Sequence, residues 1–133
     1  MAKSYLKVAH ARYDFAVHGG AISTITLSDP NGRNMIPQNA IILGGTIDII
    51  TQLGSGGSAT IAIGTSAGSS SSSIKGATAV ASWTVGQLVA VPIFTAATYV
   101  KMTALGSLTA TIATATLNAG VFEVHLLYVV SSA

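Results

Sequence analysis

Hydrophobic and polar residues alternate with a period of two along most of this chain. In the last third, the even-numbered positions form one apolar face, made of Phe122, Val124, Leu126, Tyr128 and Val130. Because successive side chains of a β-strand point to opposite faces, this alternation predicts half-buried strands. It indicates strands at residues 108–117 and 121–130, and the intervening residues 118–120 (Asn-Ala-Gly) are a turn signal. We therefore predict a closing hairpin whose even-numbered face lines the core.

Similar alternation predicts further strands, separated by Gly, Pro, Asn and Asp residues that favour turns. We expect them at residues 5–17, 21–27, 40–51, 58–64, 88–93 and 99–103. The Gly44-Gly45 pair inside the third of these predicts a bulge or a bend. Residues 54–57 are predicted to form a hairpin loop, residues 65–73 an exposed flexible loop, and residues 77–81 are compatible with a short helix.

About eight short strands and at most one short helix predict an all-β fold, a single-domain antiparallel β-sandwich of the jelly-roll type. A chain of 133 residues is the usual size of one domain. We divide it into an N-terminal arm, residues 1–7, and a β-domain, residues 8–133. Aromatic residues make up only 6% of the chain, so the core is thin and exposed apolar surface favours an oligomer.

The charge pattern excludes several classes of protein. The six cations are scattered, whereas nucleic-acid binding needs a dense basic patch, so we expect no direct nucleic-acid partner. The absence of Cys excludes disulfides and thiol nucleophiles. No apolar segment precedes Arg12, which argues against a signal peptide. Residues 76–100 are uncharged and long enough to cross a bilayer, but their alternation and their Gly, Gln and Pro residues predict strands and loops instead.

Residue types that carry chemistry are scarce. Residues 54–59 match the loose dinucleotide pattern G-x-G-x-x-A, but a strand follows where that pattern needs a helix N-terminus. The only possible bases are His10, His18 and His125, and the only acids are Asp14, Asp29, Asp48 and Glu123. His10 and Asp14 share a face of their strand, and Asp29 belongs to a turn. We expect a protein that is not an enzyme and has no cofactor.

Glu123 and His125 share one face of the last strand, since they lie two positions apart. They would bind a metal only with a third ligand, and two ligands do not make a catalytic zinc site. A polar pair on a solvent or subunit face is therefore the favoured interpretation. Trp83 and Tyr99 flank loop-like segments, where they would be either interface anchors or simple packing residues.

Three segments together resemble a known group of proteins. They are residues 11–20 (ARYDFAVHGG), residues 36–51 (IPQNAIILGG followed by TIDIIT), and the closing segment with TATI, LNAG and VHLLYV. They are similar to the capsid decoration (cement) proteins of tailed bacteriophages. The resemblance runs from about residue 8 to residue 130 and consists of strands and turns, with no catalytic signature.

This resemblance implies a homotrimer that binds the major capsid protein on the outside of the phage head and stabilises contacts between capsomers. It also implies a virion protein that is made in the bacterial cytoplasm, with no membrane partner. We predict interface residues at Lys3, Tyr5, Lys7, Arg12, Trp83, Tyr99, Glu123 and His125. An alternative is a tail or spike protein that binds a host-surface glycan through Trp83.

Overall fold

The computed structural model describes residues 6–66, 74–86, 88–90 and 100–130. Its strands are β1 (Leu6–Asp14), β2 (Ser23–Thr26), β3 (Met35–Ile36), β4 (Ala40–Ser55), β5 (Thr60–Thr65), β6 (Lys75–Ala79), β7 (Leu88–Ala90), β8 (Val100–Lys101), β9 (Gly106–Ala113) and β10 (Leu117–Val130). A four-residue helix, α1 (Phe15–His18), follows β1, and a single 3-10 turn (Val80–Ser82) follows β6. Among these elements no helix has the length and apolar character needed to cross a membrane.

In the described residues the strands form two antiparallel sheets, each with four principal strands and a two-residue addition. The first has the order β1-β10-β4-β7, with β8 also paired to β4, and the second has the order β2-β9-β5-β6, with β3 paired to β9. The chain crosses repeatedly between the sheets, which is the double-sheet arrangement of a jelly roll. The predicted all-β sandwich is therefore confirmed.

The core lies between the two sheets. The first sheet contributes Phe122, Val124 and Leu126, all fully buried, so the even-numbered face of β10 is the inner wall, as the alternation predicts. The facing sheet contributes Ile61, Ile63, Ala110 and Ile112 to the same cluster. Small residues such as Ala9 and Ala11 fill much of the remaining inner surface of β1.

The closing hairpin prediction is wrong. β9 pairs with β2, β3 and β5, whereas β10 pairs with β1 and β4, so the two strands belong to different sheets. The chain turns between them at residues 114–116, where Thr114 has a positive φ of 74°. Asn118 and Gly120 do not form a turn; they lie inside β10, where the register with β4 shifts.

The structure corrects three other local predictions. Residues 54–57 are not a hairpin loop, because β4 and β5 lie in different sheets. The predicted first strand ends at Asp14, whose side chain caps α1 by accepting the Ala16 N–H at 3.0 Å. Residues 77–81 are not a helix, since β6 runs through Ala79 before the 3-10 turn. Residues 67–73 of the expected flexible loop 65–73, and residues 91–99, lie outside the described residues, and Thr65 is the last residue of β5.

The bulge predicted at Gly44-Gly45 is confirmed. Leu127 pairs with Gly44 and Tyr128 pairs with Ile42, so one extra residue of β4 stands opposite β10. A bulge of this kind bends the strand and increases its twist. The bulge therefore allows β4, which is 16 residues long, to stay paired with β10 along nearly its whole length.

Tyr13 is expected to make the stability of the fold depend on pH in the alkaline range. Its ring is fully buried against Phe122, and its O–H donates to the Gly19 carbonyl at 2.6 Å. Burial, with a smaller contribution from Asp14, raises the pKa of Tyr13 to about 12. An unfolded tyrosine has a pKa of about 10. The folded chain therefore keeps this proton after the unfolded chain has lost it.

Below about pH 10, we expect the titration of Tyr13 to leave the free energy of unfolding unchanged. As the pH rises toward 12, we expect the free energy of unfolding to fall by about 2–3 kcal/mol. Urea unfolding at several pH values between about 9 and 12 would measure this fall. Tyr13→Phe removes the titrating group, so its stability should depend less steeply on pH in that window. Equal slopes in the two proteins would exclude Tyr13 as the cause.

Candidate functional site

Polar side chains gather on the outer face of the sheet formed by β1, β10 and β4. In the antiparallel register, His10 stands opposite His125, and Arg12 stands opposite Glu123. Their neighbours Ala11 and Val124 point inward and are buried, so these four residues point outward. We call His10, Arg12, Glu123 and His125 the outer-face cluster.

Glu123 is at the centre of the outer-face cluster. Its Oε2 accepts a hydrogen bond from Arg12 Nη1 at 2.9 Å. Its Oε1 lies 3.4 Å from His10 Nε2 and 3.6 Å from His125 Nε2. The two imidazole rings are also neighbours, with centroids 4.8 Å apart. The carboxylate thus uses one oxygen for arginine and turns the other toward both histidines.

Burial acts to raise the pKa of Glu123, but hydrogen bonds from Arg12 and His10 and their positive charge outweigh it. The net effect lowers the pKa of Glu123 below its ordinary value. Glu123 is therefore a carboxylate at neutral pH, and it can act only as an acceptor or a ligand.

Asp29 supports the outer-face cluster from the loop between β2 and β3, in the turn where the sequence predicts it. Its side chain is fully buried, and its Oδ1 accepts from His10 Nδ1 at 2.6 Å. Its Oδ2 accepts from the backbone N–H groups of Asn31 at 3.0 Å and Arg33 at 2.9 Å, and from Arg33 Nε at 3.2 Å. Burial opposes the charge of Asp29, but these hydrogen bonds from Arg33, His10 and Asn31 hold its pKa well below the ordinary value. Asp29 therefore fixes the His10 ring and closes its own loop at the same time.

Replacing Asp29 by asparagine is expected to lower the free energy of unfolding by about 2–3 kcal/mol, because hydrogen bonds to a buried charged group are among the stronger ones. The amide keeps the shape of the side chain but loses the charge and one acceptor. Urea unfolding would measure the loss. Asp48→Asn is the matched control: Asp48 lies half-buried on the same face in β4, and the described residues give it no ion pair. A loss of similar size in both variants would contradict the role assigned to Asp29.

A second polar contact involves Ser28 and His18, but it is not arranged for nucleophilic catalysis. His18 Nε2 lies 3.2 Å from Ser28 Oγ, while His18 Nδ1 accepts the Asp14 backbone N–H at 3.0 Å. Nδ1 also lies 3.2 Å from the Asp14 carbonyl oxygen, so both of these neighbours are backbone groups of Asp14. The carboxylate that orients the base of a hydrolase triad is therefore not in place on this histidine.

The structure brings together three of the predicted interface residues, Arg12, Glu123 and His125, in the outer-face cluster. Lys7 is exposed in β1 and pairs with Tyr128, so it lies in the sheet although it was assigned to the arm. Trp83 is fully buried and packs on Phe122, with ring centroids 5.0 Å apart, which matches the packing alternative. Lys3, Tyr5 and Tyr99 lie outside the described residues.

Sequence reasoning missed His10 and Asp29 as members of this site. The alternation predicts that His10 and Asp14 share a face of β1, but Asp14 caps α1, and His10 contacts Asp29 and Glu123. A signal exists in the complementary patterns His-x-Arg in β1 and Glu-x-His in β10. It becomes informative only when the two strands are known to be neighbours in this register.

Apolar surface lies beside the outer-face cluster. Leu6 is 61% exposed and Val8 is 49% exposed at the start of β1. A shallow groove of about 340 Å³ follows, lined by Val8, Gly45, Thr46, His125, Leu126 and Leu127. This combination of exposed apolar and polar groups on one sheet face is typical of a contact surface.

No protein-family model and no curated protein match the sequence. Solved structures do share its fold. A chain in the acidic stable capsid structure of Helicobacter pylori bacteriophage KHP30 aligns over 98% of this chain and 90% of its own length, with a TM-score of 0.64 and 12% identity. A chain of the cyanophage Pam1 capsid asymmetric unit covers 96% and 86%, with a TM-score of 0.64 and 16% identity.

A chain in the capsid of Ralstonia phage GP4 also covers 96% of this chain and 86% of its own length, with a TM-score of 0.62 and 18% identity. This protein has the fold of these phage capsid chains. The likeness extends over nearly the whole length of each partner, so it concerns the complete sandwich and not a shared fragment. At such low identity it establishes fold alone.

Proposed function

We propose that this protein is a structural protein of a bacteriophage virion, a decoration (cement) protein that binds the outside of the head as a homotrimer. The observation that carries the proposal is the likeness to chains of three phage capsids over at least 96% of this chain. A fold can host many functions, but three capsid neighbours and a surface poor in catalytic groups favour the same role.

The proposed mechanism is burial of surface against neighbouring subunits. The outer-face cluster and the groove beside it form the subunit contact of the trimer, where Arg12, Glu123 and His125 supply polar specificity and Val8 and Leu127 supply apolar area. The N-terminal arm, with Lys3 and Tyr5, docks on the major capsid protein, and Tyr99 is assigned to the same interface. The protein would be made in the bacterial cytoplasm and mature on the head, without a membrane or nucleic-acid partner.

The glycan-binding alternative depends on Trp83, and the position of Trp83 does not suit that role. Stacking on a sugar requires an exposed aromatic face, and Trp83 is fully buried beneath the surface. No exposed tryptophan replaces it, because the chain contains only one.

The oligomeric state tests the trimer. Chromatography with light scattering should give about 40 kDa, three times the 13.3 kDa of one chain. A single species at 13.3 kDa over the whole concentration range would overturn the trimer.

Immunogold labelling of purified virions of the encoding phage tests the location. We expect gold on the outside of the heads. Gold on the tails would support the tail alternative instead, and virions without label would overturn the virion role altogether.

A further inference from the structure

The outer-face cluster contains three groups that bind transition metals, and they come from two strands. One ring nitrogen of His10, one of His125 and a Glu123 carboxylate oxygen all lie within 4.8 Å of one another. Two imidazoles and one carboxylate are the protein ligands of many zinc sites with an open fourth position. The sequence places only Glu123 and His125 together, and the pairing of β1 with β10 supplies the third donor.

The separations already approach those of a tetrahedral site. Ligand atoms about 2.0–2.1 Å from zinc lie roughly 3.3 Å from one another. Glu123 Oε1 is 3.4 Å from His10 Nε2 and 3.6 Å from His125 Nε2. Both distances are close to the tetrahedral value. His125 is 41% exposed, so its ring can turn without disturbing the core.

The surrounding hydrogen bonds prepare each ligand. Asp29 is a buried carboxylate that can only accept, so His10 Nδ1 keeps its proton. Nε2, which faces Glu123, is the nitrogen that releases its proton to the solvent when the metal binds. A carboxylate that orients a metal-binding histidine in this way is a common feature of zinc sites. Arg12 binds Oε2 of Glu123, which leaves Oε1 for the metal.

The cluster is also accessible from outside the sheet. The side chains of His10 and Glu123 are 13% and 23% exposed, so the donors are held firmly but are not sealed from solvent. This allows an ion to enter and leaves room for a water molecule in the fourth position.

We propose that His10 Nε2, His125 Nε2 and Glu123 Oε1 bind one Zn²⁺ ion on the outer face of the sheet. The nitrogen donors favour zinc over calcium or magnesium, which prefer oxygen ligands. The ion joins the first principal strand to the last and stabilises the folded state by mass action. All three ligands come from one chain, so this inference does not depend on the proposed virion function; in the proposed trimer the ion would lie within the subunit contact.

Calorimetric titration of the chelator-treated, full-length protein with ZnCl2 tests the site. We expect one ion per chain, and His125→Ala and Glu123→Gln should each weaken binding by at least about tenfold. His18→Ala, which removes a histidine outside the cluster, is the control and should bind like the wild type.

A second measurement separates a metal site from a variant that has merely unfolded. Co²⁺ added to the wild type should give the visible absorption of tetrahedral cobalt, and His125→Ala should lack it while keeping the circular dichroism of the wild type. Zinc should raise the melting temperature of the wild type and of His18→Ala but not that of His125→Ala.

Two results would overturn the proposal. One is the absence of binding to the wild type at about 100 µM zinc, a concentration far above the dissociation constant of a three-ligand zinc site. The other is equal affinity in the wild type and His125→Ala. Either result would leave the outer-face cluster as a network of ion pairs.

Discussion

Gly45→Ala is expected to lower the free energy of unfolding by about 3 kcal/mol or more, because the facing strand leaves no space for a side chain. A Cβ at Gly45 would overlap the His125 carbonyl oxygen and would lie 2.8 Å from the Leu126 Cα. Both atoms belong to the backbone of β10, so no side-chain rotation relieves the overlap. Glycine in a strand interior often marks such a close approach.

Gly76→Ala is the matched control, since Gly76 also lies in a strand, β6, but has open space where the Cβ would stand. Its stability should equal that of the wild type or rise slightly, because alanine restricts the unfolded chain. Urea unfolding of the three proteins measures both effects. If Gly45→Ala lost less than about 1 kcal/mol, the close contact between β4 and β10 would be wrong.

Trp83→Ala is the second change with a large expected effect, a loss of about 3–5 kcal/mol. The indole is fully buried and packs on Phe122, so its removal leaves a cavity between the sheets. Trp83→Phe should cost clearly less, because a ring remains to contact Phe122. The indole Nε1 also has no hydrogen-bond partner among the described residues, so no such bond is lost with it.

Fluorescence offers a direct check, since Trp83 is the only tryptophan. Its emission should be shifted to the blue and resist quenching by acrylamide in the folded protein. If Trp83 were instead a surface contact, truncation to alanine would change the free energy of unfolding by no more than about 0.5 kcal/mol. Strong acrylamide quenching of the folded protein would point to the same conclusion.

The strands and their inner faces follow from local patterns. The alternation of β10 places Phe122, Val124 and Leu126 in the core, and the Gly44-Gly45 pair marks a real bulge. Both features depend on a few consecutive residues, so the local sequence is enough to predict them.

The turn between β9 and β10 shows where local reasoning fails. Asn118 and Gly120 have the composition of a turn, yet both lie inside β10. Gly120 has a φ of 136° and the Leu53 side chain packs where its Cβ would be, so it serves a close approach. The real corner is at residues 114–116, and it leads into the other sheet. Nothing in ten consecutive residues distinguishes a corner between sheets from a hairpin.

The outer-face cluster likewise combines features that the local sequence predicts with features that depend on the fold. The period of two in β10 is enough to predict that Glu123 and His125 share a face, and the composition shows that few groups in the chain can do chemistry. The folded arrangement was needed to show that His10, more than a hundred residues earlier, stands opposite His125 and that Asp29 orients the His10 ring. Side-chain direction is a local property of the strand. Strand pairing and register depend on burial and hydrogen bonding between distant segments, and a shift of one residue would turn every one of these side chains to the other face.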